Sequence, residues 1–152
     1  MAEKCKAKKA SEAGDCLFCK FAKGEIEVAK IYEDKNVFVF LDINPCGELN
    51  GHTLVIPKKH YETILDCPEE TLKETIAVVK KIAVAVQKVS GAEGINLVQN
   101  NGKAAGQFVP HIHFHIIPRK AGDGIYFDEK RRKAIPMELL ETAKKIKETL
   151  QN

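Results

Sequence analysis

Residues 110–118 read Pro-His-Ile-His-Phe-His-Ile-Ile-Pro, and no other stretch limits the chain so strongly. Three of the chain's five histidines fall here at every second position: His111, His113 and His115. Ile112, Phe114 and Ile116 stand between and after them. β-Branched and aromatic residues favour strands, and alternation favours a half-buried one. A strand sets side chains i, i+2 and i+4 on one face, roughly 6.5–7 Å apart. Three imidazoles then line one face while Ile and Phe enter the core behind them. A helix would send His113 to the side opposite His111 and His115. Pro118 is expected to end the strand.

Neutral imidazole is a nucleophile, an acid/base group and a metal ligand. Like charges lower one another's pKa, so three crowded imidazoles cannot all be protonated near pH 7. At least one keeps a free lone pair. The alternating face is therefore a candidate reaction centre.

Size and charge narrow the partners. A chain of 152 residues makes one domain with a real core. The net charge of +3 is small, and several Lys sit in the amino-terminal tail, which argues against nucleic acid as a partner. The sequence holds no apolar run long enough to span a bilayer and no signal-peptide core near Met1, so a cytoplasmic protein with no membrane association is expected. Five cysteines, an odd number, suit a reducing compartment better than a disulfide framework.

Residues 1–14 are rich in Lys, Glu and Ala without a large apolar residue, and predict a disordered basic tail. Residues 15–152 predict a single domain. Cys16-Leu17-Phe18-Cys19 follows the tail; a C-x-x-C of this kind is half of a zinc site, a redox pair or chance, and no βαβ pattern supports the redox reading. Strands are predicted over 29–33, 37–41, 52–56 and 95–99, with a hairpin turn at Asp34-Lys35-Asn36 and Pro57 ending the third. A long helix is predicted over 68–90, entered through Pro68 and stopped by Gly91, with Leu72, Ile76, Val79, Ala83 and Val86 on its packed side. Residues 100–109 form a Gly- and Asn-rich loop, whose glycines let backbone N–H groups approach an anion. From Pro136, Met137, Leu140, Ala143, Ile146 and Leu150 predict a carboxy-terminal amphipathic helix over 136–150. Together these elements predict an α+β fold, a sheet of about five antiparallel strands with one long helix packed on it and a second helix at the carboxy terminus.

The run His111-Ile112-His113-Phe114-His115-Ile116-Ile117 resembles the His-φ-His-φ-His-φ-φ signature, φ being apolar, of the histidine triad (HIT) superfamily of nucleotide hydrolases and transferases. Asp42-Ile43-Asn44-Pro45 and the segment 51–60 resemble further HIT segments, so the likeness covers residues 15–120. It implies a HIT-like fold and a hydrolase acting at the α-phosphate of purine nucleotide conjugates. It makes His113 the nucleophile of a covalent nucleotidyl-histidine intermediate. His115 then contacts the phosphate or the leaving group, His111 orients the array and His52 supports it. Phe18, Phe40 and Ile43 match positions that sandwich the base. Asp42 matches the ribose-binding acid, and Asn100, Gln107, Phe108 and Val109 match phosphate contacts. Some HIT proteins with this amino-terminal C-x-x-C bind a structural zinc, which implies Cys16, Cys19, His60 and His111 as its ligands here. No catalytic cofactor is implied, and a homodimer is.

Two substrates fit the resemblance, adenosine phosphoramidates and dinucleoside polyphosphates. Residues 118–123 and the long carboxy-terminal segment lean toward the second. His115 sets the chain apart from the transferases that carry Gln there. The link 46–50 is longer than the resemblance suggests, and Phe108 stands where many relatives carry Ser or Thr. Two other readings of the same histidines are a zinc-dependent hydrolase or lyase and a nucleotide-binding protein with weak catalysis.

Overall fold

The computed structural model describes residues 14–125 and Met137. The tail expected over 1–14, apart from Gly14, and the helix expected over 136–150, apart from Met137, lie outside the described residues. The elements run α1 (Leu17–Ala22), β1 (Lys30–Glu33), β2 (Val37–Leu41), β3 (Thr53–Pro57), α2 (Glu69–Ser90), β4 (Gly94–Val98) and β5 (Phe114–Arg119), with a single 3₁₀ turn at Lys103–Ala105 before β5. All strand pairs are antiparallel, in the order β1-β2-β3-β5-β4. The chain is α+β, as the pattern predicts.

Local chemistry sets the connections. Asp34 Oδ1 accepts the backbone N–H groups of Asn36 and Val37, both at 2.8 Å, and closes the β1–β2 hairpin. Pro68 precedes the first turn of α2, Glu69 and Glu70 sit at its positive end, and Gly91 stops it at φ 65°. Gly51 has φ 117°, and a Cβ there would lie 3.3 Å from Val86 Cγ1. Only glycine lets this turn pass close under α2 and deliver His52 to the edge of β3.

Alternation gives the sheet two apolar faces. On one, Val37, Val39, Val55, Ile112, Phe114 and Ile116 meet Val78, Val79, Ile82 and Val86 of α2. On the other, Phe38, Phe40, Leu54 and Ile56 meet Cys16, Phe18, Cys19 and Phe21, which cover the sheet from the α1 segment. Ile112 and Ile116 are fully buried, as their places between the histidines predict.

Three details depart from the prediction. The first is where β5 begins: at Phe114, so that His111 and His113 precede the ladder. Their backbone is held elsewhere, His111 N–H by the Val109 carbonyl (2.8 Å) and Ile112 N–H by the Tyr61 carbonyl (2.7 Å). Pro118 does not end β5 but pairs with Ile95 inside it. The β3 ladder stops at Thr53↔Ile116, so β5 has a strand on only one side at Pro118, where a missing N–H is tolerated. The packed stripe of α2 is also rotated. Thr75, Val78 and Ile82 are buried and Ile76 is exposed. Thr75 can enter because its hydroxyl donates to the Thr71 carbonyl (2.7 Å) of its own helix.

Candidate active site and metal centre

Strand register builds the site on the face that α1 covers. Phe40 of β2 stands opposite Leu54 of β3, Leu54 opposite His115 of β5, and His115 opposite Val98 of β4. Two residue pairs beyond Phe40 and Leu54, Asp42 N–H donates to the His52 carbonyl (2.9 Å) and sets those two residues side by side. A cavity of about 570 Å³ opens over this row. Asp42, His52, His113 and His115 line it, with Phe18, Phe40, Ile43, Asn100, Phe108 and Val109 around them.

The cavity has an aromatic end. Phe18 packs on Phe40 (ring centroids 5.5 Å apart), Phe21 on Phe40 (5.3 Å) and Phe18 on His113 (5.1 Å). Phe18 and Phe40 are buried, and Ile43 stands exposed at the rim. Leu17, Phe21, Leu54, Cys46 and Ile117 also line the cavity and escape the sequence reading. A signal for Phe21 exists: Phe18 and Phe21 stand three apart, as on one face of the short helix α1.

His113 and His115 face the cavity with ring centroids 4.9 Å apart. His113 Nδ1 donates to the His111 carbonyl at 2.7 Å. A carbonyl only accepts, so a neutral His113 carries its proton on Nδ1 and keeps the Nε2 lone pair free. Burial is the main reason that His113 titrates below the usual imidazole range, against the opposing pull of that carbonyl and of Asp42. His115 is held down to about 4 by burial, by His113 and by His52. Burial also lowers His52, whose Nε2 lies 2.9 Å from His115 Nδ1. Asp42 Oδ1 accepts the Asn44 N–H at 2.8 Å, so the acid that lines the cavity also shapes its own turn.

His111 departs from the expected arrangement. Its ring is fully buried and turned away from the cavity. Nε2 donates to the Pro57 carbonyl (2.8 Å), which leaves Nδ1 as the lone pair. That Nδ1 lies 3.4 Å from Cys16 Sγ, 3.5 Å from Cys19 Sγ and 3.3 Å from His60 Nδ1, and Cys19 Sγ lies 3.5 Å from His60 Nδ1. All four donor atoms sit within 4.8 Å of one another. A tetrahedral zinc with bonds near 2.0–2.3 Å needs ligand edges of about 3.3–3.8 Å, so the donor set fits the ion. The Pro57 carbonyl supplies the outer hydrogen bond that a ligating imidazole usually makes. Burial and the neighbouring Cys16 push the Cys19 thiol up to about 11, so without a cation that thiol stays protonated at neutral pH.

Gln107 also departs from expectation. It is buried and lies outside the cavity lining. Its Oε1 accepts the Gly102 N–H (2.7 Å) and its Nε2 donates to the Glu62 carbonyl (2.6 Å). The amide is consumed in folding the 100–109 loop, which fixes Phe108 at the rim with its side chain 94% exposed. Arg119, in the segment 118–123 that leans toward polyphosphates, is paired through Nε and Nη2 with Asp123 (2.6 and 2.7 Å) and also reaches Asn96 and the Ile125 carbonyl.

The lowered histidines make acid destabilising. An imidazole with an unfolded pKa near 6.5 and a folded value of about 4 binds more protons in the unfolded chain between those limits. Stability is therefore complete above about pH 6.5 and falls as pH drops toward 4. The urea midpoint is expected to be lower at pH 5 than at pH 7.5. His115→Gln removes one such group and should shrink that difference; an unchanged difference would show that His115 does not titrate this way.

Comparison with known proteins gives the family of the chain. The HIT domain family matches residues 23–122. A HIT-like protein of Methanocaldococcus jannaschii is 54% identical over 109 residues, 72% of this chain and 82% of its own. The adenosine 5'-monophosphoramidase of Schizosaccharomyces pombe is 43% identical over 104 residues, 68% of this chain and 74% of its own. Among solved structures, a zinc-bound histidine triad family protein from Mycobacterium smegmatis superposes with a TM-score of 0.69 at 39% identity, covering 86% of this chain and 99% of that one. The chain belongs to the HIT domain family.

Proposed function

We propose that this protein hydrolyses purine nucleotide conjugates at the α-phosphate through a covalent intermediate on His113, and that phosphoramidates are its substrates. One observation carries the reading: His113 Nδ1 is tied to the His111 carbonyl, so its Nε2 lone pair faces the cavity between the aromatic end and the ribose-binding position Asp42. The base lies against Phe18, Phe40 and Ile43, and the Asp42 carboxylate accepts from the ribose hydroxyls. Asn100 and the backbone at Phe108 and Val109 meet the phosphate.

In the first step His113 Nε2 attacks phosphorus and the P–N bond breaks. The leaving amine takes up a proton from solvent, and the Nδ1–H bond to the His111 carbonyl steadies the charge that develops on the ring. Water then attacks the same phosphorus, gives up a proton to solvent, and the P–N bond to His113 breaks, returning neutral His113 and the nucleoside monophosphate. The cycle closes in protons and needs no catalytic metal, because positioning and electrostatics supply the acceleration. The alternative zinc-dependent mechanism would use His111 and His113 together, but their free ring nitrogens face different compartments.

The choice of phosphoramidate over polyphosphate rests on charge. A departing nucleoside polyphosphate is strongly anionic and calls for Lys or Arg beside it. No described residue lining the cavity is Lys or Arg, and Arg119 is held by Asp123. Val98, Phe108, Ile117 and Ile125 line that side instead and suit an uncharged amine. The S. pombe relative is an adenosine 5'-monophosphoramidase.

The same reading includes zinc held by Cys16, Cys19, His60 and His111. Bound there, zinc would supply a structural cross-link between the α1 segment and the loop that carries the nucleophile. It also includes a homodimer. The apolar residues Ile76 and Val84 of α2 and Leu97 of the edge strand β4 are exposed together and suit a second copy of the chain. Among the described residues no helix is long and apolar enough to cross a membrane. The free Cys16, Cys19, Cys46 and Cys67 suit the reducing cytoplasm.

Two experiments test these statements. Adenosine 5'-phosphoramidate and diadenosine tetraphosphate are assayed side by side. The first is expected to give the higher kcat/KM, and His113→Ala to lose about a thousandfold or more of it. Equal rates in the variant, or tight nucleotide binding without turnover in the native protein, would overturn the reading. For the metal, the isolated protein should hold about one zinc per chain, and Cys19→Ser should lose it and lower Tm. Full zinc content in Cys19→Ser would remove the assignment.

A further inference from the structure

His52 is the one buried histidine that neither attacks phosphorus nor faces the thiols. It is 2% exposed, and both its ring nitrogens are engaged. Nδ1 receives the backbone N–H of Cys46 at 2.9 Å. Nε2 lies 2.9 Å from His115 Nδ1. A backbone amide can only donate, so Nδ1 of His52 must be the bare nitrogen. Neutral His52 then carries its proton on Nε2, and that proton has one good acceptor, His115 Nδ1. The other candidate, Asp42 Oδ2, lies 3.6 Å away, beyond hydrogen-bond range, while Asp42 Oδ1 is occupied by the Asn44 N–H. His115 Nδ1 is therefore an acceptor too, and a neutral His115 must carry its proton on Nε2, facing the cavity.

We propose that the backbone amide of Cys46, acting through His52, locks His115 as a neutral hydrogen-bond donor toward the substrate. Two adjacent imidazoles thereby hold opposite tautomers. The His111 carbonyl forces His113 to offer a lone pair, and the Cys46 amide forces His115, two bonds away, to offer an N–H. His52 is a positioning residue: it touches no reacting atom in this scheme and sets the direction of one hydrogen bond. His115 is not a proton-accepting base here. Its Nε2–H donates to a phosphoryl oxygen or to the bridging atom of the conjugate. His115 stays neutral at working pH because burial, His113 and His52 oppose its charge, so the tautomer, not the ionisation state, decides what it can do. The link 46–50, which departs in length from the resemblance, thereby acquires a chemical task at its first residue.

The proposal's role for His115 rests on the hydrolase reading above, but its tautomers can be read without substrate. Long-range ¹H–¹⁵N spectra of the uniformly ¹⁵N-labelled full chain at pH 7.5 distinguish the two neutral forms of each histidine. The expected result is Nε2–H for His52 and His115 and Nδ1–H for His113. Protonation of His115 on Nδ1 would overturn the proposal outright. In His52→Leu, His115 should become a mixture of both forms; a pure Nε2–H signal there would also overturn it. His52→Gln keeps an N–H donor at the Nε2 position and should restore the single form. Kinetics give the second readout: kcat toward the phosphoramidate should fall about tenfold in His52→Leu with little change in KM, and recover in His52→Gln. Equal losses in both variants would mean that His52 is merely structural. Failure of the native protein to turn over any nucleotide conjugate would refute the hydrolase reading and leave the tautomer result standing on its own.

Discussion

A single hydrogen bond, from His113 Nδ1 to the carbonyl of His111, leaves the Nε2 lone pair of His113 open to the cavity. Every other feature of the site preserves the conditions for it. The acceptor carbonyl must be fixed, and its own residue is fixed at three points: the backbone N–H on Val109, the ring Nε2 on Pro57 and the ring Nδ1 among two thiols and His60. His111 thus holds His113 through its carbonyl and meets the thiol cluster through its ring.

The sheet carries the rest. Because β5 lies between β3 and β4, its outward side chains stand between the apolar row of β2 and β3 and the open edge at β4. The cavity thereby has an aromatic end and a β4 end, with the imidazoles of His113 and His115 between them. The opposite face, packed on α2, makes this arrangement rigid: Ile112, Phe114 and Ile116 alternate with the histidines and anchor the segment from behind. Core packing and cavity lining use alternate residues of one stretch.

That alternation is what made the site legible. His-Ile-His-Phe-His-Ile announces a two-faced segment: Ile112, Phe114 and Ile116 enter the core as the pattern says, and His113 and His115 face the cavity, while the His111 ring turns away toward the thiols. The five-stranded antiparallel sheet and the long helix were equally visible in periodicity and in the Pro68 and Gly91 boundaries. What stayed hidden depended on distances along the chain. Nothing local in Gln107 tells that its amide is spent on Gly102 and Glu62 instead of substrate. Nothing local in Ile76 tells that the helix buries Thr75 in its place. The direction of the His111 ring follows from Pro57 and Cys16, both more than fifty residues away. The Cys46 amide is invisible to any reading of side chains, because the group that acts is backbone.

The central claim is that reaction at phosphorus proceeds by two displacements, with His113 as the intermediate carrier. Stereochemistry at phosphorus tests it most directly. A nucleoside phosphoramidate made chiral at phosphorus with sulfur is hydrolysed in ¹⁸O-water, and the configuration of the product is determined. Two in-line displacements predict overall retention. Inversion would mean that water attacks the conjugate directly, and His113 would then be a base or an electrostatic partner instead of a nucleophile.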